Sequence, residues 1–273
     1  MNIKSKFQYA QQFFRKTHLL NFVEYIDYLF SVVGSFKRNS SFVKRHPDFT
    51  LPPRHLAYDA YSAPDWEFYK ESGEESAVYL RDVMLQYSGS GPADSVLEWG
   101  CGPGRIIRHL PEFCGETTAY FGTDYNGETI KWCSSNISGI NFSVNNLNPP
   151  LSFASGNFDF IYAISVFTHL SEPVGLKWIE ELHRLLKPNG VLLITLKGDN
   201  YHDRLLPDEK VTYDSAGIVV RGNVTEGKKM FATFHNPKYV REKLLSKFQI
   251  LNHITEHSPL SEQDTWIAKK TGL

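Results

Sequence analysis

Apolar side chains recur at three- and four-residue steps from the start of the chain. Phe7, Ala10, Phe13, Phe14 and Thr17 share one side, with Lys4, Gln8, Gln11 and Arg15 between them, which predicts a helix. From Leu19 the pattern inverts: Asn21, Glu24, Tyr28 and Ser31 form a narrow polar stripe on an otherwise apolar helix, and Gly34 is the expected stop. A proline-rich joint at 47–53 and an aromatic, acidic segment at 58–69 follow. Residues 74–86 predict another helix, burying Ala77, Val78, Leu80, Met84 and Tyr87, and the run 89–92 breaks it.

Beyond that break short apolar runs alternate with helical patterns. Strands are expected at 95–97, 119–122, 141–144, 158–164 and 191–196. Helices are expected at 106–110, ended by Pro111, and at 128–135 and 173–186. Strand, helix, strand in repetition implies parallel pairing through right-handed crossovers, hence an open sheet covered on both faces. The tail differs. A helix from Asn236-Pro237 to about Ser246 precedes strands at 248–254 and 265–268 joined only by a loop, so these two pair antiparallel. The segment 198–235 reads as an insertion with strand-like stretches at 217–220 and 230–234. The fold expected is α/β: a Rossmann-like, doubly wound, seven-stranded and mostly parallel sheet, with an antiparallel C-terminal hairpin and an N-terminal helical extension. Its parts are an extension at 1–50, cap and linker helices at 51–93, and a main domain at 94–273 that carries the insertion.

Composition sharpens this outline at one point. The 273 residues carry a net charge of −1, but residues 1–50 hold eight Lys/Arg against three Asp/Glu, so the front end is basic and the rest acidic. A general nucleic-acid binder would be basic throughout. The front end, rich in aromatics, suits a peripheral membrane contact or dimerisation through the N-terminal helix. The apolar stretch 19–33 is too short for a span and contains Glu24 and Asp27. Three cysteines without metal-ligand spacing suggest neither a disulfide framework nor a metal site, and a reducing, cytoplasmic compartment is expected.

The chemistry concentrates at Val96-Leu97-Glu98-Trp99-Gly100-Cys101-Gly102-Pro103-Gly104-Arg105, where a strand enters a glycine-rich turn that opens a helix. Such a turn lets the backbone approach a ligand and presents N–H groups to it. A dinucleotide fingerprint needs glycine where Arg105 stands, which disfavours an NAD-dependent oxidoreductase. An acid two residues before the first glycine would repel a pyrophosphate but suits a cationic ligand bearing an amino acid. Glu-x-Gly-x-Gly-x-Gly resembles the first motif of the class I S-adenosylmethionine-dependent methyltransferases. Gly122-Thr123-Asp124-Tyr125 is similar to the segment where that superfamily places an acid on the ribose hydroxyls, and Asn145-Asn146-Leu147 to the one that meets the adenine. Phe158-Asp159-Phe160-Ile161 and Leu185-Leu186-Lys187-Pro188-Asn189-Gly190 resemble its fourth strand and the turn into its fifth. The likeness spans about 94–196, and short stretches at 51–56, 165–170 and 263–266 look similar to small-molecule or glycan-directed branches.

The resemblance implies S-adenosyl-L-methionine as cofactor, with Glu98, Gly100, Cys101, Gly102, Gly104, Arg105, Asp124, Tyr125, Asn145, Asn146, Leu147, Ile164 and Tyr69 around it. Methyl transfer to a hydroxyl also needs a proton acceptor beyond the carboxyl ends of the strands. His169, five residues past Ile164, is the best-placed base. Tyr201, His202 and Asp199 after the fifth strand are further candidates to meet an acceptor, and His235 is a helix-entry residue. Arg105 is expected to pair with a ligand carboxylate or with Glu98, and Arg108 to lie on a solvated face. Tyr58, Tyr61, Trp66 and Tyr69 are candidates to fold over the cofactor. Asn148-Pro149-Pro150 precedes the fourth strand, which sets it apart from the motif of nucleic-acid amino-methyltransferases. Asp199-Asn200 lacks a partner acid at Ile164-Ser165, so no metal is expected. The function expected is methyl transfer to an oxygen of a small polar molecule or sugar. The rivals are the oxidoreductase and a non-catalytic docking module that keeps the fold.

Overall fold

The computed structural model describes residues 20–87, 93–255 and 257–271. The helical pattern at 7–17 and the break at 89–92 lie outside them.

Helix α1 spans Leu20–Arg45, α2 Arg54–Tyr61 and α3 Trp66–Tyr87. Gly34 does not stop α1. An isolated glycine in a helix costs only about 1 kcal/mol, and contacts beyond it hold the chain helical. The Asn39 side chain donates to the Pro64 carbonyl at 2.6 Å and accepts from the Trp66 N–H at 3.0 Å. Phe42 is fully buried against Ala57, Trp66 and Tyr69. The polar stripe is the face that packs. Glu24, Tyr28 and Ser31 turn toward the body, continued by buried Ser35 and Asn39, while the apolar positions turn outward.

The alternating segment gives β1 (Ser95–Trp99), α4 (Leu110–Cys114), β2 (Ala119–Asp124), α5 (Gly127–Asn136), β3 (Ile140–Val144), β4 (Phe158–Ala163), α6 (Glu172–Leu185) and β5 (Leu186–Leu196). Pro111 does not end a helix. It sits in the first turn of α4, where its missing N–H leaves nothing unpaired, after a 3₁₀ turn at Ile107–His109. Within 198–235 lie α7 (Pro207–Ala216), not anticipated from the pattern, and the antiparallel pair β6 (Ile218–Arg221) and β7 (Ala232–His235). The Asn236 side chain caps the turn Pro237–Tyr239 by accepting from Lys238 and Tyr239 N–H, and a wide turn continues it only to Leu244. Strands β8 (Phe248–Ile254) and β9 (Asp264–Lys270) close the fold.

The main sheet runs β3-β2-β1-β4-β5-β9-β8. Pairs among the first five strands are parallel; β9 is antiparallel to both β5 and β8. This is the seven-stranded, mostly parallel, doubly wound sheet with an antiparallel C-terminal pair that the pattern implies.

Successive residues of a strand enter opposite layers. Leu97, Ile161, Leu192 and Ile194 pack with Trp178 and Leu182 of α6 on one face. Val96, Phe160, Val191 and Leu193 pack with Ala77, Leu80 and Met84 of α3 on the other. Strand order reverses at β1, with β2 and β4 on its opposite sides, and such a switch point opens a crevice beyond the carboxyl ends of the strands.

Candidate active site

A cavity of about 700 Å³ fills that crevice, with the glycine loop, the ends of β2, β3 and β4, the α2–α3 region and the loop before β9 as walls. Small-molecule sites run to roughly 300–1,000 Å³.

Gly100, Gly102 and Gly104 have φ of +79°, +50° and +72°, the left-handed region that glycine enters without strain. A Cβ on Gly100 would lie 2.3 Å from Val166, and one on Gly104 2.6 Å from Ile137, so the loop also needs their smallness. Gly104 does not line the cavity; it seats the loop on α5 and the turn after it. The backbone N–H groups of Gly100 and Cys101 both donate to the Thr123 carbonyl, which ties the loop to the end of β2. Cys101 is buried in this packing, and burial pushes its thiol well above the ordinary range.

Asp124 ends β2 with one carboxylate oxygen accepting from Gly102 N–H at 3.0 Å and the other from Asn126 N–H at 2.8 Å. Burial raises its pKa against the pull of those two bonds. Glu98 is buried at the end of β1 and accepts from the Tyr162 hydroxyl at 2.9 Å. Burial dominates there too, and its carboxyl is pushed up to about 8 despite Tyr162 and Arg105. Asn145 donates its amide to the Asn146 carbonyl, which leaves its buried Oδ1 without a partner among the described residues. That orphan acceptor is what an exocyclic amine would satisfy. Tyr125, Asn146, Leu147 and Ile164 complete this side of the wall.

Arg105 is only 7% exposed, sandwiched between the rings of Tyr61 and Phe68 at 5.2 and 5.6 Å. Its guanidinium donates to Ser72 Oγ at 2.9 Å, and its Nε is buried without a partner among the described residues. The expected pairing with Glu98 is not formed. A buried cation with unused donors at a cavity wall suits a carboxylate ligand. The Tyr61 hydroxyl, also buried and without a partner among the described residues, borders the same space.

His169 lines the cavity from the 3₁₀ turn after β4. Its Nδ1 lies 2.7 Å from the Phe231 carbonyl, which can only accept, so Nδ1 carries the proton and Nε2 the lone pair. Burial, reinforced by Lys197, lowers its pKa to about 4, so the ring is neutral at pH 7.

Other expected residues stand elsewhere. Tyr69 supports the loop from behind, donating to the Pro103 carbonyl at 2.6 Å. Trp66 and Tyr58 pack under α1. Arg108, expected on a solvated face, lies over the Phe49 ring at 4.2 Å and donates to the Thr50 carbonyl. Asp199 accepts from the Tyr213 hydroxyl, Tyr201 packs in the insertion, His202 faces Asp214, and His235 is buried on β7.

Three further contributors complete the site. Ser165 holds φ +63° at the end of β4, with its N–H on Thr195 Oγ1 and its hydroxyl accepting from Gln263 Nε2. The loop 257–263 forms a wall opposite the glycine loop. Lys229 reaches the cavity from the insertion while pairing with Glu24 of α1 at 3.4 Å.

A glycine loop at a switch point, an acid ending β2, an orphan acceptor after β3 and a buried cation are groups that suit a nucleoside ligand bearing an amino acid. Residues 96–190 match a family profile described as a methyltransferase domain. The chain is 26% identical over 155 residues to the sterol 24-C-methyltransferase erg6 of Schizosaccharomyces pombe, covering 54% of this chain and 40% of that protein. It is 31% identical over 133 residues to the phosphoethanolamine N-methyltransferase of Plasmodium falciparum, covering 47% of each. The chain thus spans less than half the length of these curated relatives. A solved S-adenosylmethionine-dependent methyltransferase from Methanosarcina mazei shares the fold, with a TM-score of 0.53 at 22% identity over 70% of this chain and 98% of that one. Residues 96–190 thus resemble a methyltransferase domain, and the likeness to the Methanosarcina mazei protein shows that the fold is shared.

Proposed function

We propose that this protein transfers a methyl group from S-adenosylmethionine to an oxygen of a small polar molecule or a sugar, with His169 as the base. The cofactor supplies a methyl group activated on a positively charged sulfur. In this reading Asp124 accepts from the ribose hydroxyls, Asn145 Oδ1 from the adenine amine, Arg105 takes the amino-acid carboxylate, and Glu98 faces the ammonium side. Tyr61 and Phe68 exclude water above Arg105.

The observation that carries the base assignment is the tautomer: Nε2 of His169 offers a lone pair at the cavity wall, fixed by the Phe231 carbonyl. With a pKa of about 4 the imidazole is always unprotonated near neutrality but only weakly basic. It therefore suits a hydroxyl whose acidity rises as the new carbon–oxygen bond forms, the proton passing to Nε2.

Labelled S-adenosylmethionine incubated with a panel of sugars and small phenols tests the reading. A methyl ether should be recovered, and His169→Gln should lower kcat by about 10²- to 10⁴-fold. The relatives' names include carbon and nitrogen acceptors, so the product must be assigned by atom. Methyl found on carbon or nitrogen, or an unchanged kcat in His169→Gln, contradicts it.

A further inference from the structure

We propose that the outward face of α1 docks on an anionic lipid surface. Fourteen large apolar side chains are exposed among the described residues, and nine of them belong to this one helix. Phe22, Ile26, Leu29, Phe30, Val33 and Phe36 follow one another at helical spacing, with Phe30 and Val33 73% and 74% exposed. They form a strip about 22 Å long at 1.5 Å per residue. Ridges of this kind on soluble surfaces mark an interaction site.

The charges on α1 say which partner fits. Both of its carboxylates face the body: Glu24 pairs with Lys229, and Asp27 accepts from the Tyr58 hydroxyl at 2.7 Å. At 100° per residue Lys37 and Lys44 fall in line with the apolar strip, and both are exposed. No ion pair holds either lysine among the described residues, whereas Arg38 and Arg45 at the flank pair with Asp65 and Glu67. The sequence before α1 adds Lys4, Lys6, Arg15 and Lys16 without an acid.

An isologous contact with a second copy must find its own complement on the same face, and this face offers cations with no carboxylate to meet them. An anionic bilayer supplies both halves: acyl chains for the apolar strip and headgroup charge for the lysines. No helix among the described residues is long and apolar enough to cross a membrane, so α1 would lie along the interface rather than span it.

The test is co-sedimentation of the full chain with vesicles of phosphatidylcholine, alone and mixed with phosphatidylserine, at low and high salt. Binding is expected to the mixed vesicles, weakening as salt rises. Lys37→Gln with Lys44→Gln should weaken it by about thirtyfold, near fivefold per cation. Phe30→Glu with Val33→Glu should abolish it. Because both positions are exposed, that variant should keep the melting temperature and the S-adenosylhomocysteine affinity of the parent. Failure to bind the mixed vesicles overturns the proposal, as does binding indifferent to Phe30→Glu with Val33→Glu. A concentration-dependent dimer that this variant splits, without vesicle binding, assigns the face to a second copy. A monomer without vesicle binding that the variant destabilises assigns it to the chain's own first residues.

Discussion

Replacing Glu98 by Gln isolates one buried carboxyl that the proposed function sets against the cofactor's ammonium group. Glu98 is 3% exposed, accepts from Tyr162 and, because of burial, ionises only near pH 8 in the free protein. A cofactor that brings an ammonium group to this wall favours the ionised form, so binding must expel the proton. If only the ionised carboxylate binds well, the dissociation constant should fall about 75-fold between pH 5.5 and 7.5, a window below the ligand's amine titration. His169, with its value near 4, contributes little in that window. Calorimetric titration with S-adenosylhomocysteine in buffers of differing ionisation enthalpy should register close to one proton released at pH 7. In Glu98→Gln the release should vanish, the pH dependence should flatten, and affinity at pH 7.5 should drop by roughly 10- to 100-fold, the cost of a lost bond to a charged group. The same group acts on stability. Its folded pKa lies above the unfolded value of 4.5, so its contribution is fully present below that value and lost as pH rises through about 8. The loss is at most roughly 4–5 kcal/mol, and Glu98→Gln should be spared it in urea melts at pH 9. An affinity flat from pH 5.5 to 7.5 in the parent, or an equal slope in the variant, refutes the reasoning.

Two further substitutions probe the frame of the site. Gly104→Ala puts a Cβ at φ +72° and within 2.6 Å of Ile137, so denaturant unfolding should show a loss of about 2–4 kcal/mol. Trp178 is buried against Trp99 with centroids 4.4 Å apart and donates its indole N–H to the Leu147 carbonyl at 2.8 Å. Trp178→Ala should cost about 3–5 kcal/mol in the same assay and weaken S-adenosylhomocysteine binding through a loosened Leu147, whereas an unaltered affinity would detach Leu147 from the cofactor wall.

Legibility in the sequence followed how local the determining physics is. The glycine loop, Asp124 and Asn145 could be read because each sits at the end of a short apolar strand, where the chain itself sets the geometry. The sheet topology followed for the same reason, strand and helix periods alternating between 94 and 196. The helix α1 was legible as a helix but not in its orientation. A polar stripe on an apolar helix is ordinarily the solvent side, yet here Ser35 and Asn39 are buried, Asn39 bonds to Pro64 and Trp66, and the apolar side stays bare. Pro111 and Gly34 tend locally to break helices, and a first-turn position and tertiary contacts override that tendency. Tyr61 is flagged by the aromatic run at 58–69, and Ser165 and Gln263 by the stretches 165–170 and 263–266, but their positions in the site, and Lys229 altogether, carry no local signature. They meet only because β4, β9, α2 and the insertion converge in space, up to 202 residues apart in sequence between Tyr61 and Gln263.

The central claim is that the crevice over β1 and β4 binds the nucleoside cofactor through Asp124. Isothermal titration of the full chain with S-adenosylhomocysteine tests it, set beside Asp124→Ala. Micromolar binding in the parent and a roughly 10- to 100-fold weaker complex in the variant, the value of a charge-assisted contact to two hydroxyls, is the predicted result. No binding in the micromolar range, or equal binding by Asp124→Ala, contradicts it.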